Sequence, residues 1–269
     1  VAAAGVPHTP AFPELANRPE GTDIRERYAA VAHVLDAARP DVLCVFTSDH
    51  INTFFLDNWP NLAVIAADEV SGPLDEVPGV ARTRIPVHAD LAAHLYETCV
   101  RRDFDPALVL DAAVDHSVVV PLHFLNANRP LPIVPIHVNG MIAPLPGPRR
   151  CLQLGAAVAD GIRTFSPRLR VAVVASGSFS LEVGGPAVHA GATYGVPRPD
   201  WAARVLSHLR YGRHAALAAE TTPRLLAEAG TVAGELLSWL GMLGAAEGLK
   251  LAHLDYREGE GHGFVAWRE

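Results

Sequence analysis

The chain has 269 residues, 49% of them hydrophobic and 19% charged, which is enough apolar content to bury a substantial core and excludes a disordered chain. Its formal net charge of −7, with no basic run longer than Arg149-Arg150, excludes the cationic face that nucleic acid or an anionic membrane requires. No apolar stretch approaches the ~20 residues needed to span a bilayer. The opening AAAGVPH also lacks the charged segment of a secretory signal, so the expected setting is the cytoplasm.

Residues 1–6 are an apolar run that reads as a buried strand, and the chain starts inside it, as though a few native residues preceded Val1. The run enters Val6-Pro7-His8-Thr9-Pro10, where two prolines stiffen a non-helical loop around His8. Residues 24–39 carry Ile24, Tyr28, Val31, Val34 and Leu35 at three- and four-residue spacing, a helix pattern. A β-branched run over Val42–Thr47 then ends in Ser48-Asp49-His50-Ile51-Asn52. Further strands are expected at 61–66, Ile133–Val138 and Val171–Ser176, and further helices at Ala89–Arg101 and 149–165.

After Tyr194 the chain turns helical, with helices expected at 199–209 and 231–247. The tail, residues 258–269, is expected to close over a pocket or to lie at an interface. Strands alternating with helices of this length give an α/β fold. With no repeat, linker or low-complexity tract, residues 1–269 read as one single-domain sandwich, a central mixed and mostly parallel sheet flanked by helices. The three cysteines, Cys44, Cys99 and Cys151, form no CxxC pair and read as buried thiols of a reducing compartment.

Ligands collect where loops leave the ends of strands in such folds, and two of these ends carry His8 and His50. Either could be an ordinary residue: His8 a surface-loop histidine, His50 one half of a satisfied Asp-His pair. The third element is Ala233-Gly234-Glu235-Leu236-Leu237-Ser238-Trp239-Leu240, apolar nearly all round and hence buried, with Glu235 in its first turn. A carboxylate there suits the helix dipole, but buried without a partner it costs several kcal/mol, roughly, so a cation or strong donor is expected beside it. Two imidazoles and one carboxylate are the facial set of non-haem Fe(II) oxygenases. Spacing cannot establish that set, because the three residues are far apart. HExxH, zinc-type CxxC, a Walker loop and GxSxG are absent.

Six segments in order carry a resemblance: GVPHTP, RPDVLCVFTSDHINTFFLDNWP, VDHSVVVPLHFL, LPIVPIHVNGMIAPLPGPRRCLQLG, RVAVVASGSFS and GELLSWLGMLGA. They resemble the class III extradiol ring-cleavage dioxygenases, the superfamily of protocatechuate 4,5-dioxygenase catalytic subunits and 2,3-dihydroxyphenylpropionate 1,2-dioxygenases. The resemblance implies that His8, His50 and Glu235 hold Fe(2+). It further implies a small aromatic substrate, a catechol or aminophenol, with O2 as co-substrate. Self-association, and in some members a separate small subunit, is common in the family. His116, in Asp115-His116-Ser117, falls on a histidine that acts on substrate oxygen, and Ser117 stands where glycine is usual.

One departure is serious. The family's other active-site histidine follows a Gly-Gly-X-Ser stretch, and the corresponding run here is Gly177-Ser178-Phe179-Ser180-Leu181. Leu181 occupies the histidine's position and can neither donate nor accept a proton. Three readings stay open: ring cleavage with His116, or a displaced His189 or His262, managing protons; an unusual substrate or a different oxidation; or a metal-binding partner subunit without turnover. A non-redox hydrolase or lyase holding zinc or manganese also fits the ligand set. Phe179, Leu181, His189 and Tyr256 are the candidate substrate-contacting residues, and Trp239 is expected to pack its helix.

Overall fold

The computed structural model describes residues 2–189 and 192–269. In chain order the elements are β1 (Ala2–Val6), α1 (Phe12–Ala16), α2 (Thr22–Ala37), β2 (Val42–Thr47), β3 (Leu62–Ile65), β4 (Glu69–Gly72) and β5 (Thr83–Pro86). They continue with α3 (Ala89–Arg101), β6 (Ala107–Val109), α4 (His116–Leu125), β7 (Ile133–Val138), α5 (Pro148–Phe165) and β8 (Val171–Ser176). The last part holds α6 (Pro199–Arg210), α7 (His214–Glu220), α8 (Pro223–Ala229), α9 (Leu236–Ala245), β9 (Lys250–Asp255) and β10 (Phe264–Arg268).

Eight strands form one mixed sheet in the order β6-β3-β7-β2-β8-β1-β10-β9, and β4 pairs with β5 in a separate hairpin. The four central strands β7, β2, β8 and β1 run parallel, and β3 and β10 run against them. Every residue of β1, β2, β7 and β8 is buried, which is why these segments read as unbroken apolar runs rather than alternating ones. Successive side chains point to opposite faces. Phe46 of β2 meets Gly241 of α9, whereas the neighbouring Thr47 donates from its hydroxyl to Ser117 Oγ of α4 at 2.7 Å. Helices α2 and α4 therefore cover one face, and α3, α5 and α9 the other.

Parallel strands deliver all their carboxyl ends to one edge. His8 follows β1, Ser48-Asp49-His50 follow β2, Asn139-Gly140 follow β7 and Gly177-Ser178 follow β8. Glu235 comes to the same edge from outside the sheet, at the end of a 3₁₀ turn, Ala233–Glu235, that leads into α9. Two backbone approaches require glycine here. A Cβ on Gly234 would lie 2.0 Å from the Gly140 carbonyl oxygen. Gly177, at φ +143°, would place one 2.5 Å from Glu235 Cβ.

The structure corrects two expectations. The helix expected over 231–247 is shorter, and Glu235 stands just outside its first turn as a residue that does not cap it by side chain. From Phe264 on, the tail expected to cover a pocket or an interface is core instead: Phe264, Val265, Ala266 and Trp267 are buried and β10 lies inside the sheet between β1 and β9, while residues 259–262 border a small cavity. All three cysteines are buried and unpaired. No described helix is long and apolar enough to cross a membrane.

Candidate metal centre

The three residues picked out at strand ends and before α9 converge. Glu235 Oε1 lies 3.0 Å from His8 Nε2 and 3.1 Å from His50 Nε2. Metal–ligand bonds of ~2.1 Å at right angles put neighbouring donors ~3.0 Å apart, so these two separations suit one shared ion.

The outer nitrogens decide what the inner ones can do. Ser176 donates its hydroxyl to the Ser117 carbonyl at 2.7 Å, so toward His8 Nδ1, 3.0 Å away, it can only accept. His8 therefore carries its proton on Nδ1. Burial lowers the His8 pKa despite the nearby Glu235 carboxylate, so the ring is neutral and Nε2 bears a lone pair. His50 Nδ1 faces Asp115 Oδ2 at 2.9 Å, and the same oxygen accepts the His50 backbone N–H at 2.9 Å. Burial works against the Asp115 carboxylate, but the His50 hydrogen bond and charge outweigh it and keep it ionised. That fixes the His50 proton on Nδ1. Glu235 Oε2 is held by the Ser178 backbone N–H at 2.6 Å, which turns Oε1 to the two imidazoles. The result is an anionic oxygen facing two ring nitrogens, an arrangement that suits a cation between them. Orientation of each ligand by a partner on its far atom is the usual support of a metal site.

Without metal, a proton serves. Burial disfavours the His50 imidazolium, yet hydrogen bonds and charge from Asp115 and Glu235 raise its pKa from 6.5 to about 10. A folded-state pKa above the unfolded one stabilises fully below the unfolded value and is lost as pH rises through the folded one. The metal-free protein is therefore expected to melt at progressively lower temperature between pH 7 and about 10. Saturating metal should flatten that slope, because the ion replaces the proton. Thermal melts with and without metal check this.

His116 completes the cluster. Its ring stacks on His50 with centroids 4.2 Å apart, and its nearer nitrogen comes within 4.8 Å of those of His8 and His50. Asp115 caps α4 by accepting the Ser117 N–H at 3.0 Å, which places His116 at the helix start. Asp75, from the loop after β4, accepts both the His116 backbone N–H at 2.9 Å and its Nδ1–H. Nε2 of His116 is left on the side of the ring away from Asp75.

These four side chains border a cavity of about 680 Å³ whose walls are mostly apolar, including Pro10, Phe12, Leu15, Met141, Val183 and Val232. Leu181 lines it. Three other candidates do not. Phe179 is fully buried beneath the site, packed edge-on against Trp239 at 4.7 Å, because an apolar ring beside the α9 core gains more from packing than from the cavity. His189 is exposed on its loop and outside the lining. Tyr256 borders a separate surface groove with Tyr211 and His253. Trp239 packs its helix and donates to the Gly177 carbonyl at 3.2 Å. Sequence reasoning missed Asp115 as the partner of His50, Asp75 as that of His116, and Tyr194 and Thr231 as cavity residues. The one legible hint was Asp115 next to His116 within VDHS.

The family described as the catalytic LigB subunit of aromatic ring-opening dioxygenase matches residues 2–262. A 2,3-dihydroxyphenylpropionate/2,3-dihydroxicinnamic acid 1,2-dioxygenase of Cupriavidus necator is 29% identical over 93% of this chain and 90% of its own length. The enzyme of the same name from Paraburkholderia xenovorans is 29% identical over 85% of this chain and 83% of its own. Gallate dioxygenase of Pseudomonas putida is 31% identical over 66% of this chain and 49% of that protein. In fold, the crystal structure of an uncharacterized Escherichia coli K12 protein covers 99% of this chain and 98% of its own at a TM-score of 0.53 and 15% identity. With the family match running over residues 2–262, this chain belongs to the family of the catalytic LigB subunit of aromatic ring-opening dioxygenases.

Proposed function

We propose that the protein is a ferrous, O2-consuming dioxygenase that opens a catechol- or aminophenol-like ring, with His8, His50 and Glu235 as metal ligands and His116 as proton acceptor. The observation that carries this reading is the set of lone pairs, from two outward-anchored imidazoles and one buried carboxylate, aimed at a common point. A ferrous ion there would supply the redox link between an aromatic substrate and O2.

The chain's own residues do the rest. Asp75 holds the His116 Nδ1 proton, so Nε2 is the base available to a substrate hydroxyl. The Ser178 N–H keeps Glu235 from rotating toward the cavity. Phe12, Leu15, Met141 and Val232 wall the cavity with apolar surface, which excludes water from the ring.

Metal analysis after anaerobic purification, followed by O2 uptake with catechols, gallate and aminophenols, tests the reading. Iron with substrate-triggered uptake supports it. Zinc or manganese without uptake favours a non-redox hydrolase or lyase, and absence of both metal and turnover favours a partner subunit. Leu181→His is expected to raise turnover of simple catechols by a few-fold, below the ~10²–10⁴ of a full acid–base contribution. Unchanged or lower turnover in a folded, iron-loaded variant counts against a proton role for this wall.

A further inference from the structure

Leu181 leaves the wall between β8 and α6 without the imidazole expected there, and neither displaced histidine fills the gap. His189 is exposed and outside the cavity. His262 is buried beside Phe12 and borders a neighbouring cavity, where burial lowers its pKa to about 4.

The wall itself offers another donor. Glu182 and Gly195 form an antiparallel bridge through two backbone hydrogen bonds of 2.9 Å. Val183 and Tyr194 flank that bridge on opposite strands, and opposed residues in an antiparallel pair share a face. Leu181, Val183 and Tyr194 accordingly all line the cavity that contains the proposed ligands, and Tyr194, like Phe12, also borders the neighbouring cavity of Arg27, Glu260 and His262, so its ring stands in the partition between the two. Apart from the three ligands and His116, Tyr194 is the one titratable residue among the described residues lining it. The ring is half-buried, and its hydroxyl has no hydrogen-bond partner among the described residues.

We propose that Tyr194 is a substrate-binding residue, its phenol donating a hydrogen bond to an oxygen of the aromatic substrate in place of the imidazole that Leu181 cannot supply. This rests on the ring-opening reading above and deepens it. Burial, and after it the Glu260 carboxylate, raise the pKa of the phenol, so at neutral pH it stays a donor. A substrate oxygen that has lost its proton to His116 is an anionic acceptor, and a neutral phenol suits it better than a second base.

The probe is 4-nitrocatechol, whose visible spectrum reports both binding and ionisation, added anaerobically to the Fe(II)-loaded protein. Tyr194→Phe keeps the ring's packing and removes only the hydroxyl. The expected result is ~10- to 100-fold weaker binding, the loss associated with a hydrogen bond to a charged group, with iron content and melting temperature unchanged. The kcat/KM for catechol should fall by a similar factor, and Leu181→His should recover more of it in the Tyr194→Phe background than it adds to the wild type. If the wild type binds 4-nitrocatechol and Tyr194→Phe binds and turns over equally well, the assignment of Tyr194 is wrong and the ring-opening reading stands. If the iron-loaded wild type binds no catechol at all, both fall together.

Discussion

Glu235→Gln should leave anaerobic purification without bound iron and without substrate-dependent O2 uptake, while still folding. Glutamine fills the same volume and can still accept the Ser178 N–H, so the change is electrostatic rather than steric. It removes the one anion between His8 and His50 and offers a neutral amide where two imidazole lone pairs already point. The loss of metal affinity should exceed the ~10- to 100-fold that follows removal of a ligand's supporting partner. Asp115→Asn provides that smaller step. It keeps the α4 cap but weakens the hold on His50 Nδ1, so iron affinity should fall within the ~10- to 100-fold range. Iron content by metal analysis and affinity by competition with a chelator read both. A Glu235→Gln protein that keeps stoichiometric iron would mean that the ion is held by His8, His50 and His116 instead.

The parts of this arrangement that could be read from sequence share a physical cause. Central parallel strands are buried on both faces, so β1, β2, β7 and β8 announce themselves as largely apolar runs without alternation, and the residues that follow them are where ligands gather. His8 and His50 were visible for that reason. Glu235 was visible because a carboxylate in a wholly apolar segment has to be accounted for.

What stayed hidden is governed by contacts remote in sequence. Asp75 sits in an acidic loop indistinguishable from a solvated turn, 41 residues from the histidine it orients. The Asp-His pair at 49–50 looked self-contained, but Asp49 spends its carboxylate on the backbone N–H groups of Asn52, Thr53 and Phe54, and His50 turns instead to Asp115. Helix α4 is apolar on all sides, carries three consecutive valines and contains Pro121, so neither periodicity nor propensity marked it. Strand β10 is short and terminal, and only its place between β1 and β9 explains its burial. Phe179 shows the converse error: adjacency in sequence to a site residue placed it on the wrong side of the wall.

The second large effect separates proton handling from metal binding. His116→Phe should retain iron but lose ~10²–10⁴ in kcat, the usual contribution of a positioned acid or base. Phenylalanine preserves the ring stacked on His50 at 4.2 Å, so His50 keeps its packing, whereas alanine would leave a gap beside it. The variant should still bind 4-nitrocatechol, but with the probe ionised only at higher pH, because the lone pair that accepts its proton is gone. Asp75→Asn is the graded companion. An amide oxygen can accept one of the two N–H groups that the carboxylate takes from His116, so the imidazole loses part of its orientation and activity should fall ~10- to 100-fold with iron intact. If His116→Phe instead emerges without metal, His116 belongs to the ligand set. Its Nε2 could not then also be the base, and the division between metal ligands and proton acceptor proposed above would fall.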